Sequence, residues 1–317
     1  MSKFDYSVVA TTFNDGGEIV KFLDSICRQT ILPSEIIVAD GGSKDDTIKK
    51  IQAYSNSRDI KITVVSDGRL NIAQGYNLAI KNVKTEYVGV TGVGNYYQLD
   101  YFEKLIESIK ENNLDVAYSP VRGYDSTPYS VIYNKTFLNG DKGDRIPIAT
   151  NHGVLMKTRI FPEMGYFYEK FIYAGEDAEF YQRVKDHGYK TAIVDEAVAL
   201  WYTPSTRSEF IKQIRNYSIA DIQILGKSKI LEREKKNILK VGISIGGLVC
   251  LACAAFANTW LMIIIATLYI VFHLLDFLKN FGKSYIMILE KRVLKLFYYI
   301  KFRKYFAKKY RVCREES

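Results

Sequence analysis

Thirty-five consecutive residues, 241–275, carry no formal charge: VGISIGGLVCLACAAFANTWLMIIIATLYIVFHLL. A single straight helix of that length would measure about 52 Å at roughly 1.5 Å per residue. The hydrocarbon core of a bilayer is only about 30 Å thick. Two short spans, 241–257 and 260–277, fit better, with Asn258-Thr259 as the turn and Trp260 at the far interface. The alternative is one tilted span followed by a buried segment. Lys235, Lys236 and Lys240 precede the stretch, Lys279 and Lys283 follow it, and the turn has no basic residue. The positive-inside rule then puts both outer ends on the cytoplasmic side.

The formal net charge of +9 is confined to one end. Residues 279–317 hold twelve Lys and Arg against three Asp and Glu, which leaves 32 of each sign elsewhere. Such a tail suits nucleic acid or anionic lipid, and the neighbouring apolar hairpin decides for lipid. Ile286, Leu289, Val293, Leu296, Phe297 and Ile300 recur at helical spacing, with Lys291, Arg292, Lys295, Arg303, Lys304 and Lys308 among them. This predicts a basic amphipathic helix on the membrane surface, each basic residue contributing on the order of 1 kcal/mol. His273 and Asp276, one turn apart, predict a local hydrogen bond rather than a proton relay.

Cysteines stand at 27, 250, 253 and 313. Cys250 and Cys253 form a C-x-x-C without a second pair, inside the apolar run, and read as small helix residues rather than metal ligands. The usage fits a reducing compartment. No signal peptide is expected, because Met1–Asp5 is polar and the first apolar run, Val8–Ala10, is short.

Residues 1–228 alternate strand and helix. Strands are predicted over Tyr6–Thr12, Glu35–Ala39, Lys61–Ser66 and Tyr87–Thr91. Helices are predicted over Gly16–Arg28, Asp45–Tyr54 with Ser43 as cap, Ile72–Asn82 and Leu99–Lys110. Four such repeats predict a parallel, doubly wound α/β sheet. Thereafter come a polar loop, NGDKGDRIPIATN, a strand over Gly153–Met156, a helix over Glu176–Asp186 and a strand over Thr191–Val194. A helix over Glu209–Leu225 leads into a charged linker, 229–240, the membrane segment, 241–278, and the basic tail, 279–317.

Two strand ends carry chemistry. One reads Thr11-Thr12-Phe13-Asn14-Asp15 and the other Asp40-Gly41-Gly42-Ser43. Ligands bind open α/β sheets at such carboxyl ends. A carboxylate there can accept from a base or ribose, and glycines let a ligand approach the backbone. Alone, Asp-Gly-Gly-Ser is an ordinary turn.

Together, VVATTFNDGGEIVKFLDSICRQTILPSEIIVADGGSKDDT resembles the opening of the family 2 glycosyltransferases almost position by position. The similarity continues through GRLNIAQGYNLAIKNVKTEYV and GEDAEFYQRVKDHGYKTAIVDEA and covers about residues 5–225. NHGVLMKTRIF and YTPSTRSEFIKQIRNYS look most like the membrane-bound branch typified by succinoglycan-assembly glycosyltransferases. The resemblance implies a GT-A fold, Rossmann-like with a mostly parallel sheet, and a nucleotide-diphosphate sugar donor. By position, Thr11, Thr12, Phe13, Asn14, Asp40 and Gly41 would hold base and ribose. Asp177, beside Glu176 at a helix start, would be the catalytic base, ionised by the helix dipole and opposed by burial. Without the resemblance, both acids read as ordinary helix-start residues.

The family's fourth strand normally ends in an Asp-x-Asp type motif holding a divalent cation on the donor diphosphate. Here the aligned residues are Gly92-Val93-Gly94, then Asn95, and the usual late histidine aligns with Leu200-Trp201-Tyr202. Three readings compete. Arg69, Lys142, Arg145, Arg207 and Arg215 could neutralise the diphosphate, with Gly92 and Gly94 giving it backbone contact. Mg2+ or Mn2+ could arrive on the diphosphate and touch only Asn95 or water. Or the donor site has decayed into a scaffold that binds nucleotide sugar or a partner transferase. His152 is a candidate acceptor contact, with a structural role as the alternative. Gln213-Ile214-Arg215-Asn216-Tyr217 resembles the Q-x-x-R-W signature of processive members with altered spacing, but too few spans follow for a channel. The expectation is an inner-membrane inverting enzyme adding one sugar to a lipid-linked saccharide, with catalytic domain and both termini cytoplasmic.

Overall fold

β1 (Tyr6–Thr12) buries Tyr6, Val8 and Ala10 against one core and Val9 against another. A strand covered on both faces belongs at the centre of a parallel sheet, and that is its place. The structure, a computed structural model, describes residues 4–138, 149–257, 259–280 and 283–303. Lys142 and Arg145 of the polar loop, the turn residue Asn258, and Lys304 and Lys308 of the tail lie outside the described residues.

After β1 come α1 (Ile19–Cys27), β2 (Glu35–Asp40), α2 (Thr47–Ser55), β3 (Lys61–Val65), α3 (Ile72–Lys81), β4 (Tyr87–Gly92), β5 (Asn95–Tyr97) and α4 (Tyr101–Asn112). They are followed by β6 (Val116–Tyr118), β7 (Val121–Tyr124), α5 (Pro128–Phe137), β8 (Val154–Lys157), α6 (Ile160–Met164), α7 (Glu176–Asp186), β9 (Thr191–Ile193) and β10 (Ala199–Tyr202). Three helices, α8 (Arg207–Ala257), α9 (Thr259–Lys279) and α10 (Tyr285–Lys301), complete the chain. The chain divides into two compact units, Met1–Asn134 with Leu138–Ser205, and Lys135–Phe137 with Thr206–Ser317. The division thus precedes the expected boundary at 228, because the helix predicted over Glu209–Leu225 is the first part of α8.

In the first unit, seven strands form a sheet in the order β3-β2-β1-β4-β8-β6-β9. β3, β2, β1 and β4 run parallel, and β8 is antiparallel to both β4 and β6. A second sheet has the order β5-β10-β7. Ile19, Phe22, Leu23, Phe102 and Leu105 cover one face of the large sheet, and Ala73, Tyr76, Ile80, Phe161 and Phe180 the other. The register pairs Thr12 with Asp40 and Thr11 with Gly92. Three adjacent parallel strands therefore end side by side, and the loops predicted to carry chemistry share one edge.

In the second unit, α8 runs without a break through 229–240, the expected linker, but it is not straight. Twelve residues of helix span about 18 Å, yet Arg233 reaches Asp221 at 2.5 Å. α8 therefore folds back between them, and α10 is bonded to both arms. Arg207 pairs with Glu290 at 2.6 Å, and Tyr299 donates to Asp221 at 2.9 Å. Lys295 pairs with Glu234 at 2.9 Å, and Lys240 and Arg292 share Asp276. Two stretches, Ile230–Cys253 and Met262–Lys279, are long and apolar enough to cross a membrane, and their most apolar parts find almost no cover within the protein. α8 and α9 touch closely where Gly247 meets Tyr269; a Cβ at 247 would lie 2.4 Å from that ring.

Two basic side chains of α10 turn inward: Arg292 is 11% exposed and Lys295 18%, each on an acid of α8 or α9, while Lys301 is exposed. The outer stripe of the helix is apolar, with Ile286, Val293, Phe297 and Ile300 exposed. Three acids with little access to water, Asp221, Glu234 and Asp276, supply the reason. His273 also differs from expectation: its Nδ1 meets the Tyr285 hydroxyl at 2.9 Å, and that hydroxyl, not the histidine, contacts Asp276.

Candidate active site

The shared strand-end edge is stitched by side chains that the sequence places in turns. Asp40 is buried, and its carboxylate accepts the N–H groups of Gly42 (3.1 Å) and Ser43 (3.0 Å). Two N–H donors leave lone pairs on both oxygens for a ligand. Ser43, expected as a helix cap, instead accepts the N–H of Asn14 at 2.9 Å, and Asn14 accepts that of Lys44 at 2.8 Å. Asn14 takes a left-handed backbone, φ 56°, as asparagine tolerates. Gly41 donates to the Thr12 carbonyl at 2.9 Å, and a Cβ there would stand 3.3 Å from the Leu70 carbonyl. Three loops thus meet at one glycine. Arg69 lies in the third, beside Gly42; it is exposed and makes no hydrogen bond or ion pair among the described residues. Phe13 stands half exposed at the rim, while Thr12 is buried with its hydroxyl on Asp15 at 2.8 Å.

At the end of β4 the side chains turn inward. Asn95 is buried; its Nδ2 donates to the Gly92 carbonyl at 2.9 Å, and its Oδ1 meets His152 Nδ1 at 2.9 Å. Each end of the amide already holds one hydrogen bond within the protein, and its oxygen keeps one further lone pair. Val93 packs into the core, and Gly94, φ 98°, offers its carbonyl to Tyr202 N–H at 2.8 Å. The residues aligned with the cation motif therefore provide no carboxylate and only one side-chain oxygen, Asn95 Oδ1, which already pairs with His152. This donor set does not fit a protein-held divalent cation, which takes hard oxygen ligands. Nor do three His, Cys, Asp or Glu side chains converge elsewhere among the described residues.

His152 rests its ring 4.6 Å from that of Trp201. Burial lowers its pKa to about 4, so the ring is neutral and gives its Nδ1 proton to Asn95. The unfolded chain takes up a proton below about pH 6.5. Stability from this group is full above that pH and lost as pH falls towards 4. Stability is expected to drop across that window, by on the order of 3 kcal/mol, and His152→Gln to flatten the drop in a pH series of thermal melts.

Glu176 and Asp177 open α7 after Gly175, whose φ is 104°. Asp177 accepts the N–H of Ala178 at 2.7 Å and that of Asn151 at 3.4 Å. Burial raises the pKa of both carboxyls, and Asp177 raises that of Glu176 further. Burial thus outweighs the dipole of α7. Tyr76, on α3, reaches the strand ends. Its hydroxyl stands 3.1 Å from where a Cβ on Gly92 would be, with the Thr11 hydroxyl 3.9 Å from the same point. Burial raises the pKa of Tyr76, and the charges of Glu176 and Asp177 raise it further. Tyr181 donates to Asn151 Oδ1 at 2.8 Å, and Asn151 Nδ2 is buried without a partner among the described residues. An unpaired buried donor costs about 1–3 kcal/mol.

Tyr76 and Asn151 are absent from the sequence-derived candidates. Tyr76 lies on the apolar stripe of α3 and reads as core; Asn151 ends a polar loop with no motif of its own. The remaining candidates, Arg207 and Arg215, belong to the second unit, where Arg207 pairs with Glu290 and Arg215 lies against Asn216.

The model of the family described as Glycosyl transferase family 2 matches residues 7–171, just over half of the 317 residues. An uncharacterized glycosyltransferase of Bacillus subtilis (strain 168), EpsJ, is 27% identical over 110 residues, 35% of this chain and 32% of that protein. The chain therefore spans about a third of that relative's length. A dolichyl N-acetyl-alpha-D-glucosaminyl phosphate 3-beta-D-2,3-diacetamido-2,3-dideoxy-beta-D-glucuronosyltransferase of Methanococcus voltae is 25% identical over 232 residues, 68% of this chain and 72% of that protein. Among solved structures, the mannosyltransferase PcManGT of Pyrobaculum calidifontis, in complex with GDP-Man and Mn2+, aligns with a TM-score of 0.65 at 17% identity, covering 93% of this chain and 86% of that one. Residues 1–349 of Staphylococcus aureus TarS, in complex with UDP, align with a TM-score of 0.51 at 20% identity, covering 76% and 71%. The fold is GT-A: α/β with a mostly parallel sheet.

Proposed function

Because the chain belongs to glycosyl transferase family 2, we propose that it moves one sugar, with inversion, from a nucleotide-diphosphate sugar to a lipid-linked saccharide. One observation carries this reading: the ends of β1, β2 and β4 share an edge, and Tyr76, whose hydroxyl lies beside Gly92 at that edge, is within the electrostatic reach of Asp177. The nucleoside would lie on Thr11–Asn14 and Gly41, with a ribose hydroxyl donating to the free lone pairs of Asp40. Asp177 accepts the proton of the acceptor hydroxyl as its oxygen bonds to the anomeric carbon. The bond from that carbon to the diphosphate breaks, and the nucleoside diphosphate leaves with the electron pair. A base with a raised pKa holds that proton more firmly. Arg69, exposed beside the Asp40 loop, supplies positive charge to the diphosphate.

The name of the Methanococcus voltae relative, with its dolichyl phosphate acceptor, supports a lipid-linked acceptor here. The two apolar helices support a membrane-held enzyme, placed where such acceptors reside. Lysines at both outer ends support an inner-membrane setting with the catalytic unit and both termini on the cytoplasmic side. α10 would add an apolar stripe to that anchor rather than a free basic face.

PcManGT carries Mn2+ with its GDP-Man. The side chains at Gly92–Asn95 favour donor binding that does not depend on a protein-held cation. A melting-temperature screen of the full chain with UDP, GDP and their sugars tests both statements. One nucleotide is expected to raise the midpoint, and a chelator to leave that rise unchanged. A rise that appears only with Mn2+ contradicts the second statement. The bare glycines at 92 and 94 also favour a second reading, a scaffold that binds nucleotide sugar without turnover. Binding with no transfer or donor hydrolysis under any condition would establish it.

A further inference from the structure

We propose that the carboxamide of Asn151 is a binding contact for the acceptor, holding a hydroxyl of the incoming sugar beside Asp177; this rests on the glycosyltransferase reading above. Asn151 is buried, yet one of its two polar side-chain atoms has no partner among the described residues. The assignment does not depend on how the amide is turned. Tyr181 is a hydroxyl that can donate or accept, so it satisfies whichever end faces it and leaves the other open.

The orphan atom belongs to the Asp177 cluster on two counts. The backbone N–H of Asn151 contacts Asp177 Oδ2, and the Tyr181 hydroxyl that holds the amide feels both Asp177 and Glu176. A residue kept only for packing would pair both ends or be apolar. A residue kept for a ligand leaves one end open, because a sugar hydroxyl offers both a donor and an acceptor to meet it. The acceptor is favoured over the donor sugar because Asn151 touches the base, and the base must touch the attacking hydroxyl. Asn151 would bind the neighbouring hydroxyl and so present the attacking one to Asp177. No bond is made or broken at Asn151.

The test uses the full chain in detergent, with UDP- and GDP-linked sugars as donors and polyprenyl-diphosphate-linked monosaccharides as acceptors. For Asn151→Ala and Asn151→Ser the acceptor KM is expected to rise at least about tenfold, as loss of a substrate hydrogen bond predicts. The donor KM stays within about twofold, and the ligand-free melting temperature does not fall. An acceptor KM within about twofold of wild type overturns the proposal. So does a fall in melting temperature in both variants, or donor and acceptor KM rising together, which is what a packing residue would give. A wild type that binds neither donor and transfers nothing defeats the glycosyltransferase reading itself, and this proposal with it.

Discussion

Asp177→Asn is expected to slow sugar transfer by about 10²- to 10⁴-fold, the range that removal of a general base produces, and to stabilise the ligand-free protein near pH 8. The two effects share one cause. Glu176 is buried and Asp177 partly buried beside it, and desolvation raises the pKa of both. A raised folded-state pKa means that folding favours the protonated group. That stability is fully present below the unfolded value of about 4 and is lost as pH rises through the folded value. Near pH 8 the fold carries the unfavourable charge, which asparagine removes. A gain in melting temperature is expected at pH 8 and should vanish near pH 4. A pH series of thermal melts beside transfer assays checks both. An active variant contradicts the assigned role, and a gain equal at both pH values contradicts the electrostatic cause.

Asp276→Ala has the largest expected effect on stability. The side chain of Asp276 is only 4% exposed and pairs with both Lys240 and Arg292. Removing one partner of a buried ion pair leaves uncompensated charge and costs about 3–5 kcal/mol. Here two cations lose their acid, and Tyr285 loses an acceptor. Unfolding in detergent, followed by circular dichroism or protease sensitivity of α10, should show the loss. Adding Lys240→Met and Arg292→Met should recover most of it, since the three groups act as one network. A loss below about 1 kcal/mol would mean that the acid is well solvated and does not hold α10.

What was legible in the sequence was local. The apolar β-branched run at Tyr6–Thr12 is a central strand, and Glu176–Asp186 is a helix with the expected bounds. Thr12 and Asp40 meet in register, as strand ends in a doubly wound sheet must. The rest depended on partners far along the chain. Ser43 reads as a cap for α2 but holds Asn14, 29 residues away. Asn95 resembles a remnant of a cation motif, yet its partner is His152, 57 residues on. α10 reads as a basic amphipathic helix because spacing shows which residues share a face, not which face meets acids. Asp221, Glu234 and Asp276 decide that, and they lie 16 to 78 residues from Arg292, Lys295 and Tyr299, the α10 residues they hold inward. The bend in α8 leaves no mark in hydrophobic periodicity, since both arms remain helical.

The most direct measurement is a structure of the Asp177→Asn variant with the nucleotide sugar that shifts its melting temperature. The base and ribose are expected against Thr11–Asn14 and Asp40. The anomeric carbon should lie within about 6 Å of the residue 177 side chain, room for one hydroxyl at hydrogen-bond and near-attack distances. A nucleotide bound elsewhere, or an anomeric carbon more than about 10 Å from residue 177, would contradict the account.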